Sequence, residues 1–370
     1  MTNARKHILI LSSWYPNPEH PFLGNFVQRQ AALLSQSYEV TVINTFPGEK
    51  EEIVRKTGSF LEIASTYSRQ GNIIKRKKAQ ESAFRRGIEQ LSDVDLIIAH
   101  IGLPRGLQFI SAKKKLNCPL IYVEHGSYFR EQKRNCWSFL ERIILKRLAK
   151  NATRIVAVSE ILKNDMMTVF PKREIEVIGN PVDADLFNLK TENNNQRTQF
   201  LHVSTLDPET KNPNGIIDAC LKLKNRGLDF CLTIVTDESY TDLQNTVEEK
   251  DLKNYISFKG PLEWNELVPI YHSADCFVLF SNYETFSIVL AEALLTGTPI
   301  ISTPVGIAAE MDASNFIAVE SHNSGSLADA MQDFIMGKQT FDPKSLRSNG
   351  MNYSNERILD TWKELIDEVG

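Results

Sequence analysis

Two glutamates eight residues apart, Glu284 and Glu292, lie in the segment SNYETFSIVLAEALLTGTPIISTPVG (281–306). The apolar run CFVLFS before them reads as a strand, and a helical pattern begins near Thr285. Eight helical steps carry Glu292 about 80° round from Glu284 and about two turns deeper. The amides of Thr285, Phe286, Ser287 and Ile288 at such a helix mouth lack intrahelical acceptors and lie at the positive end of the dipole, so they attract phosphate. Further back, Glu292 is placed to accept hydrogen bonds from a ribose diol, as acidic residues do in dinucleotide folds. One ligand with phosphates at one end and a sugar at the other satisfies both. Spacing alone equally allows Glu284 to be a helix cap and Glu292 a polar residue on a half-buried helix.

These residues need elements to hold them. Short β-branched runs alternate with amphipathic stretches almost throughout, the pattern of βαβ units and parallel sheets. The first series is HILILSS from His7, YEVTVINTF from Tyr38, DLIIAH from Asp95, PLIYVEH from Pro119, RIVAVS from Arg154 and IEVIGN from Ile175, with helical patterns such as Gly24–Ser35 and Trp137–Lys150 between them. The polar, Asn-rich LKTENNNQRTQ (189–199) has no apolar period and reads as an exposed linker. A second series follows: QFLHVST, DFCLTIVT, YISFKG, CFVLFS, PIISTP and FIAVE. With 370 residues, two doubly wound α/β domains are expected, 1–185 and 186–353. Ile358, Leu359, Trp362, Leu365 and Ile366 recur at helical spacing, so 354–370 should form a closing helix that packs back on the first domain. Ligands of open parallel sheets bind beyond the carboxyl ends of the strands, and two such sheets facing each other would make a cleft walled by strand-end loops.

With Phe286, Glu292-Ala-Leu and Gly297-Thr-Pro-Ile, the Glu284 segment resembles the E-x7-E signature of the retaining family 4 glycosyltransferases, which have the GT-B fold. The resemblance covers most of the chain: VEHGSY (123–128), RIVAVSE (154–160), IGNPVD (178–183), HVSTLDPETKN (202–212) and FKGPLEWNELVPIYHSADCFVLFS (258–281) are similar to that family's landmarks and follow its order. It implies that Lys211 contacts a nucleotide diphosphate, that Glu292 holds the ribose, and that Glu284 holds the transferred sugar, with Thr285 to Ile288 offering backbone donors. It implies that His125, which closes PLIYVEH, faces the donor sugar, and that Gly24 belongs to a loop near the acceptor or reaction centre. Ser159 and Asn180 are further strand-end polar residues that either shape loops or join the site. Thr205 stands with Ser204 where the family often has Gly-Arg, so a hydroxyl replaces the second cation. Gly24 is single where a glycine pair is common, and Ile307 occupies the position of another glycine, with Glu310 following.

The reaction implied is transfer of a hexose or N-acetylhexosamine, with retention, from a nucleotide-diphosphate sugar to a glycan or lipid-linked acceptor, in cell-surface polysaccharide synthesis, with no cofactor and no metal. The alternatives are a nucleotide-sugar epimerase on the same fold and a non-catalytic nucleotide-binding protein. Asp93-Val94-Asp95 and Asp183-Ala184-Asp185 match the metal-binding Asp-x-Asp of another architecture, but one begins a strand and the other follows a turn, where Asp serves as cap or turn former. No Gly-x-Gly-x-x-Gly or Walker loop occurs, so nicotinamide and ATP chemistry lack their phosphate fingerprint.

Residues 1–183 hold 28 Lys+Arg against 18 Asp+Glu, and the remainder 14 against 28, so the basic first domain either meets an anionic surface or simply has solvated basic helices. Its clusters are Lys75–Lys78, Arg85-Arg86, Lys113–Lys115, Lys133-Arg134 and Lys146-Arg147. A membrane is the favoured partner; nucleic acid is not, because no aromatics interleave the charges to stack bases. Five scattered cysteines read as buried reduced thiols. The opening MTNARKHILILSSWYP lacks a small-residue cleavage site, so a cytoplasmic protein, at most resting on the inner face of the membrane, is expected.

Overall fold

The computed structural model describes residues 5–191 and 195–370. Residues 1–4 of the opening segment and 192–194 of the polar stretch lie outside the described residues. Two compact units emerge, Met1–Pro181 with Ile358–Gly370, and Val182–Arg357.

The first unit holds eight strands: β1 (His7–Ser12), β2 (Glu39–Pro47), β3 (Ile53–Thr57), β4 (Leu61–Tyr67), β5 (Leu96–His100), β6 (Leu120–Glu124), β7 (Arg154–Ala157) and β8 (Glu176–Val177). Their order in the sheet is β3-β4-β2-β1-β5-β6-β7-β8. Ile8 to Leu11 and the whole of β5 and β6 are buried, as a parallel sheet covered on both faces demands. All pairs are parallel except the β3–β4 hairpin, which the apolar pattern does not foretell. In β3 (IVRKT) four of five residues are exposed, and a charged edge strand of this kind carries no apolar run.

Helices Ile73–Ile88, Gly106–Leu116 and Phe139–Asn151 follow strands β4, β5 and β6. Ser138 and Glu141 close a capping box on the third of these. The last helix, Asn355–Val369, sends Ile358, Leu359, Trp362, Leu365 and Ile366 into the core of the first unit beside Ile8, Ile10 and Val40.

The second unit is a six-stranded sheet: β9 (Thr198–Val203), β10 (Phe230–Val235), β11 (Ile256–Lys259), β12 (Cys276–Leu279), β13 (Ile300–Ser302) and β14 (Ile317–Ala318). Its order is β11-β10-β9-β12-β13-β14, every pair parallel. Here each strand coincides with one of the apolar runs.

Two expectations need correction. The described part of 189–199 lies within the second unit rather than between the two units. Lys190 Nζ donates to Ala274 O and Asn195 Nδ2 to Ser273 O and Asp275, so polar side chains tie the stretch to the loop before β12. Nor are all the cysteines buried: Cys118, Cys220 and Cys276 are, but Cys136 is exposed. No described helix is long and apolar enough to cross a membrane.

Candidate functional site

In the second unit, β12 ends at Leu279 and the chain turns through Ser281–Ser287 before a helix over Ile288–Leu295. That helix starts three residues later than its sequence pattern suggests, so Glu284 stands in the turn and not on a helical face shared with Glu292. The turn is set by Ser287, which sits in the left-handed region at φ 73°. Such a conformation in a non-glycine residue is held only when its surroundings over-determine it. Those surroundings are visible. Gly306, at φ +53°, presses against the turn so closely that a Cβ there would lie 2.4 Å from Phe286 O. Ile307 N donates to the same oxygen at 2.9 Å. Phe286 is buried and meets Tyr353 edge-on.

Lys211 and Glu284 converge at this turn. Lys211 ends a one-turn helix, Pro208–Lys211, capped by Asp207 and docked by Asn282, whose amides donate to Thr210 O and Glu209 O. Lys211 Nζ lies 2.6 Å from Glu284 Oε1, which also accepts from Ser281 Oγ at 2.8 Å. Glu284 is only 8% exposed. The pair is short and charge-assisted, and removing either partner would strand a nearly buried charge. Beside it the Ser287 hydroxyl is buried with no hydrogen-bond partner. Thus a cation, an unsatisfied hydroxyl and a helix N-terminus meet within one turn of chain, an arrangement suited to a phosphate.

Glu292 lies on the same helix, buried at 3% exposure, and accepts from Tyr271 Oη at 3.0 Å. Thr205 is exposed on the loop after β9, whereas its neighbour Ser204 is occupied: His202 Nε2 and Leu206 N both lie within hydrogen-bond reach of its hydroxyl. Burial drives the His202 imidazole down to about 4, so it stays neutral.

The first unit gathers a different set at the carboxyl ends of β5 and β6. His125 follows β6, and its Nε2 lies 2.9 Å from Nδ1 of His100, the last residue of β5. His100 is wholly buried and His125 is 6% exposed. His100 Nε2 has no hydrogen-bond partner. Burial pushes His100 down to about 3, and burial followed by repulsion from His100 holds His125 well below the usual imidazole range. Both rings are therefore neutral.

Phe26 stacks on His125 with centroids 4.4 Å apart. Phe26 is placed by Gly24, which precedes the helix Asn25–Leu34 at φ +69°; a Cβ there would meet Trp14 O at 2.4 Å. Glu124 fixes the backbone beneath His125. Its wholly buried carboxyl accepts from Tyr122 and Tyr128 hydroxyls, from the amides of His125 and Gly126 at 2.8 and 2.6 Å, and from Gly102 N at 3.3 Å. Burial pushes this carboxyl up while those donors pull it back.

Ser159 is a helix cap, accepting from Leu162 N. Asn180 is buried, and its side-chain hydrogen bond to the His125 ring works against the burial that lowers that ring's pKa. Asp95 accepts from His7 N, and Asp183 from the amides of Asp185 and Leu186, so one carboxylate of each Asp-x-Asp serves the backbone.

Sequence reasoning did not single out His100, Glu124 or Arg105. Arg105 lashes the carboxyl ends of two strands by donating to Thr45 O and Ser12 O. One signal was available for His100: DLIIAH and PLIYVEH are neighbouring parallel strands that both end in histidine.

Comparison with known proteins bears on the whole arrangement. The family described as Glycosyltransferase Family 4 matches residues 23–186, and that described as Glycosyl transferases group 1 matches residues 184–352. An uncharacterized glycosyltransferase of Methanocaldococcus jannaschii is 26% identical over 274 residues, 73% of each chain. A D-inositol 3-phosphate glycosyltransferase of Corynebacterium aurimucosum is 24% identical over 340 residues, 83% of this chain and 80% of the other. Among solved structures, sucrose-phosphate synthase from Thermosynechococcus elongatus superposes with a TM-score of 0.77 at 17% identity, covering 98% of this chain and 99% of that one. Anabaena HepE in complex with UDP gives 0.75 at 16%, covering 98% and 100%. At such identities the structural likeness speaks for the fold.

Proposed function

The chain belongs to the glycosyltransferases of family 4, with the GT-B fold, and on that premise we propose that it moves a hexose or N-acetylhexosamine, with retention, from a nucleotide-diphosphate sugar to a glycan or lipid-linked acceptor. The observation that carries this reading is the Lys211–Glu284 pair at the mouth of the Ile288–Leu295 helix, beside the unpartnered Ser287 hydroxyl. As the bond to the sugar breaks, negative charge builds on the departing diphosphate. Lys211, held by Glu284 at 2.6 Å, and the helix amides supply positive charge at this point to stabilise it. Glu284 orients the sugar hydroxyls and Glu292 the ribose. The acceptor hydroxyl arrives on the face the diphosphate leaves, and its proton passes to that phosphate. No metal or cofactor enters the scheme, because Lys211 and the helix mouth supply the positive charge.

Thermal shift against UDP, GDP and ADP, then their sugars, tests the phosphate site; HepE in complex with UDP makes UDP the first choice. At 100-fold excess over Kd a ligand stabilises by about 2.7 kcal/mol. The wild type should shift and Lys211→Ala should shift far less. Equal shifts in both would remove Lys211 from the site.

The partner side of the proposal is an anionic membrane, in keeping with a lipid-linked acceptor, a cytoplasmic location and a role in surface polysaccharide synthesis. Strands β4, β5 and β6 run parallel, so the first turns of the helices that follow them lie toward one edge of the sheet, the edge that bears His125. Those turns expose Ile73 (71%), Ile74, Leu107, Phe139 (80%) and Leu140. Gly106 packs on Ile144 and Lys113 on Asn151 O, so helix 139–151 runs alongside helix 106–116, and Phe139 stands about 7 Å beyond that contact. Exposed Lys75, Arg76, Lys77, Lys78, Arg142, Lys146 and Arg147 accompany these apolar tips. Each such cation contributes roughly 1 kcal/mol at an anionic surface. The protein should float with phosphatidylglycerol vesicles and not with phosphatidylcholine, and Phe139→Asp with Leu140→Asp should abolish flotation. Undiminished flotation of the double variant would refute the placement.

A further inference from the structure

In the first unit, helices Ile73–Ile88 and Gly106–Leu116 each link one parallel strand to the next, so they run side by side in the same direction. Lys115 Nζ lies 3.5 Å from Glu89 Oε1 and fastens their carboxyl-terminal ends. Between the two helices lies a groove of about 520 Å³, the size of a small-molecule site. Phe84, Ile88 and Ala112 line it and are buried, and Leu107 lines it while remaining 41% exposed. At 1.5 Å per residue from the Lys115–Glu89 pair, Leu107 and Lys78 stand about 12 and 16 Å away along their helices. The groove thus has one fastened end and one open end, and the open end adjoins the exposed Ile73 and Ile74.

Its charge is lopsided. Lys78, Arg85 and Lys115 line it against the single carboxylate of Glu81. Arg86, which does not line it, is taken up by Glu51 and by Thr66 O. Lys78 and Arg85 are exposed, and neither side chain has an ion pair or hydrogen bond among the described residues. Cations on a solvated helix face need no apolar wall beside them. Here they share one groove with Phe84 and Leu107, and a cationic rim over an apolar floor suits a ligand that is anionic at one end and hydrocarbon at the other.

We propose that this groove binds one molecule of anionic phospholipid, with its phosphodiester at Arg85 and an acyl chain running past Phe84 and Leu107 to the open end. The bilayer as its source rests on the placement of the apolar tips argued above. A guanidinium meets phosphate oxygens with paired N–H donors, as an ammonium does not. The negative end of the dipole of helix 73–88 opposes an anion near Arg85, and three cations against one carboxylate outweigh it. The chain leaves by the open end because the Lys115–Glu89 pair bars the other. With the tips in a bilayer, the head is drawn up between the helices while the chains stay on the membrane side, so the lipid need not invert.

Titration calorimetry of the full-length protein with dihexanoyl phosphatidylglycerol, kept below its micelle concentration, reads the groove without any vesicle. One molecule should bind, about tenfold tighter than dihexanoyl phosphatidylcholine, the scale of one charge-assisted contact. Glycerol 3-phosphate, which has no chains, should not bind at the same concentration. Arg85→Gln should bring phosphatidylglycerol down to the affinity of phosphatidylcholine. Ser111→Trp, which fills the groove from an exposed position, should weaken both lipids by about tenfold. Equal affinity for the two lipids overturns the proposal, as does glycerol 3-phosphate binding as tightly as phosphatidylglycerol or an unaltered affinity in Ser111→Trp. Should either variant not fold, the three probes on the wild type still decide. Phe139→Asp with Leu140→Asp should lose vesicles yet keep the monomeric lipid, since neither residue lines the groove. A wild type that floats but ignores the monomeric lipid refutes the groove and spares the membrane placement, whereas a tip variant that binds the monomer and still floats does the reverse.

Discussion

The two units place their polar residues at the same topological point, beyond the carboxyl ends of parallel strands, yet they arm that point in opposite ways. In the second unit the groups are ionic and paired: Lys211 and Glu284 at 2.6 Å, with a helix mouth beside them. In the first, the pair at the ends of β5 and β6 is uncharged: His100 and His125, both stripped of solvent. On the proposed function the second unit's charge answers a diphosphate, which brings charge of its own, whereas a neutral buried pair carries no desolvation cost for an ion.

The most severe way to break this contrast is to remove the cation. Lys211→Ala should lower turnover about 10²-fold, the scale of losing one preorganised stabilising group. It also leaves Glu284 buried without its counter-ion, so a loss of stability should accompany it. Restoring the charge as Lys211→Arg should recover stability better than turnover, since the fork of a guanidinium does not sit where an ammonium did. Turnover unchanged in the Ala variant would leave the second unit with no charged centre and the contrast void.

Acid probes the neutral half. The His100 pKa in the fold is about 3, against a free value of 6.5. Below about 6.5 the unfolded chain takes up a proton that the folded ring refuses, so stability from this group is complete above that pH and drains away as the pH falls toward 3. By pH 5 the loss is about 2 kcal/mol. Urea unfolding at pH 7.5 and at pH 5 should show the wild type losing about that much more than His100→Gln. Comparing the two proteins cancels Glu124, whose raised carboxyl acts in the opposite sense. Equal losses would mean that His100 protonates inside the fold, and the first unit would not be neutral after all.

How much of this was legible beforehand differs between the units for physical reasons. Every strand of the second unit is a buried apolar run bounded by turn residues, so periodicity alone locates it. In the first unit β3 is an exposed edge and β4 alternates polar with apolar residues, and neither leaves a run to find. Glu284, Lys211 and His125 were legible as residue types near strand ends, and Glu292 as a polar residue on the helix that follows. Their partners were not. That Lys211 would reach Glu284 across 73 positions depends on β9 and β12 being neighbours in the sheet, and that Ser287 would start the helix depends on Gly306, which comes from the loop after β13. Parallel sheets bring distant segments together at their strand ends, so a linear reading finds candidate residues before it finds their contacts.

A smaller effect sharpens the assignment inside the second unit. If Glu292 holds the ribose in ground state and transition state alike, Glu292→Ala should raise the donor KM by about tenfold and leave kcat nearly unchanged, the mark of uniform binding. Glu292 is also buried against Tyr271 Oη, so the variant removes one acceptor of that hydroxyl, the other being Val289 O at 3.3 Å. Tyr271→Phe controls for this, since it removes the hydroxyl but keeps the carboxylate. A fall in kcat with KM constant would move Glu292 from the ribose to the reacting sugar.

The smallest expected effect is the most selective. Ser287 Oγ is buried with no partner in the free protein, so it contributes nothing there and its burial costs something. Ser287→Ala keeps a Cβ and the left-handed backbone demand at φ 73°, so the turn should survive. Its thermal stability should be equal to or slightly above that of the wild type. Its affinity for a nucleoside diphosphate should nevertheless fall by about five- to tenfold, the net value of one ordinary hydrogen bond. A purely structural hydroxyl would give the reverse, a less stable protein with unaltered affinity, because a group that shapes the turn matters most when nothing is bound.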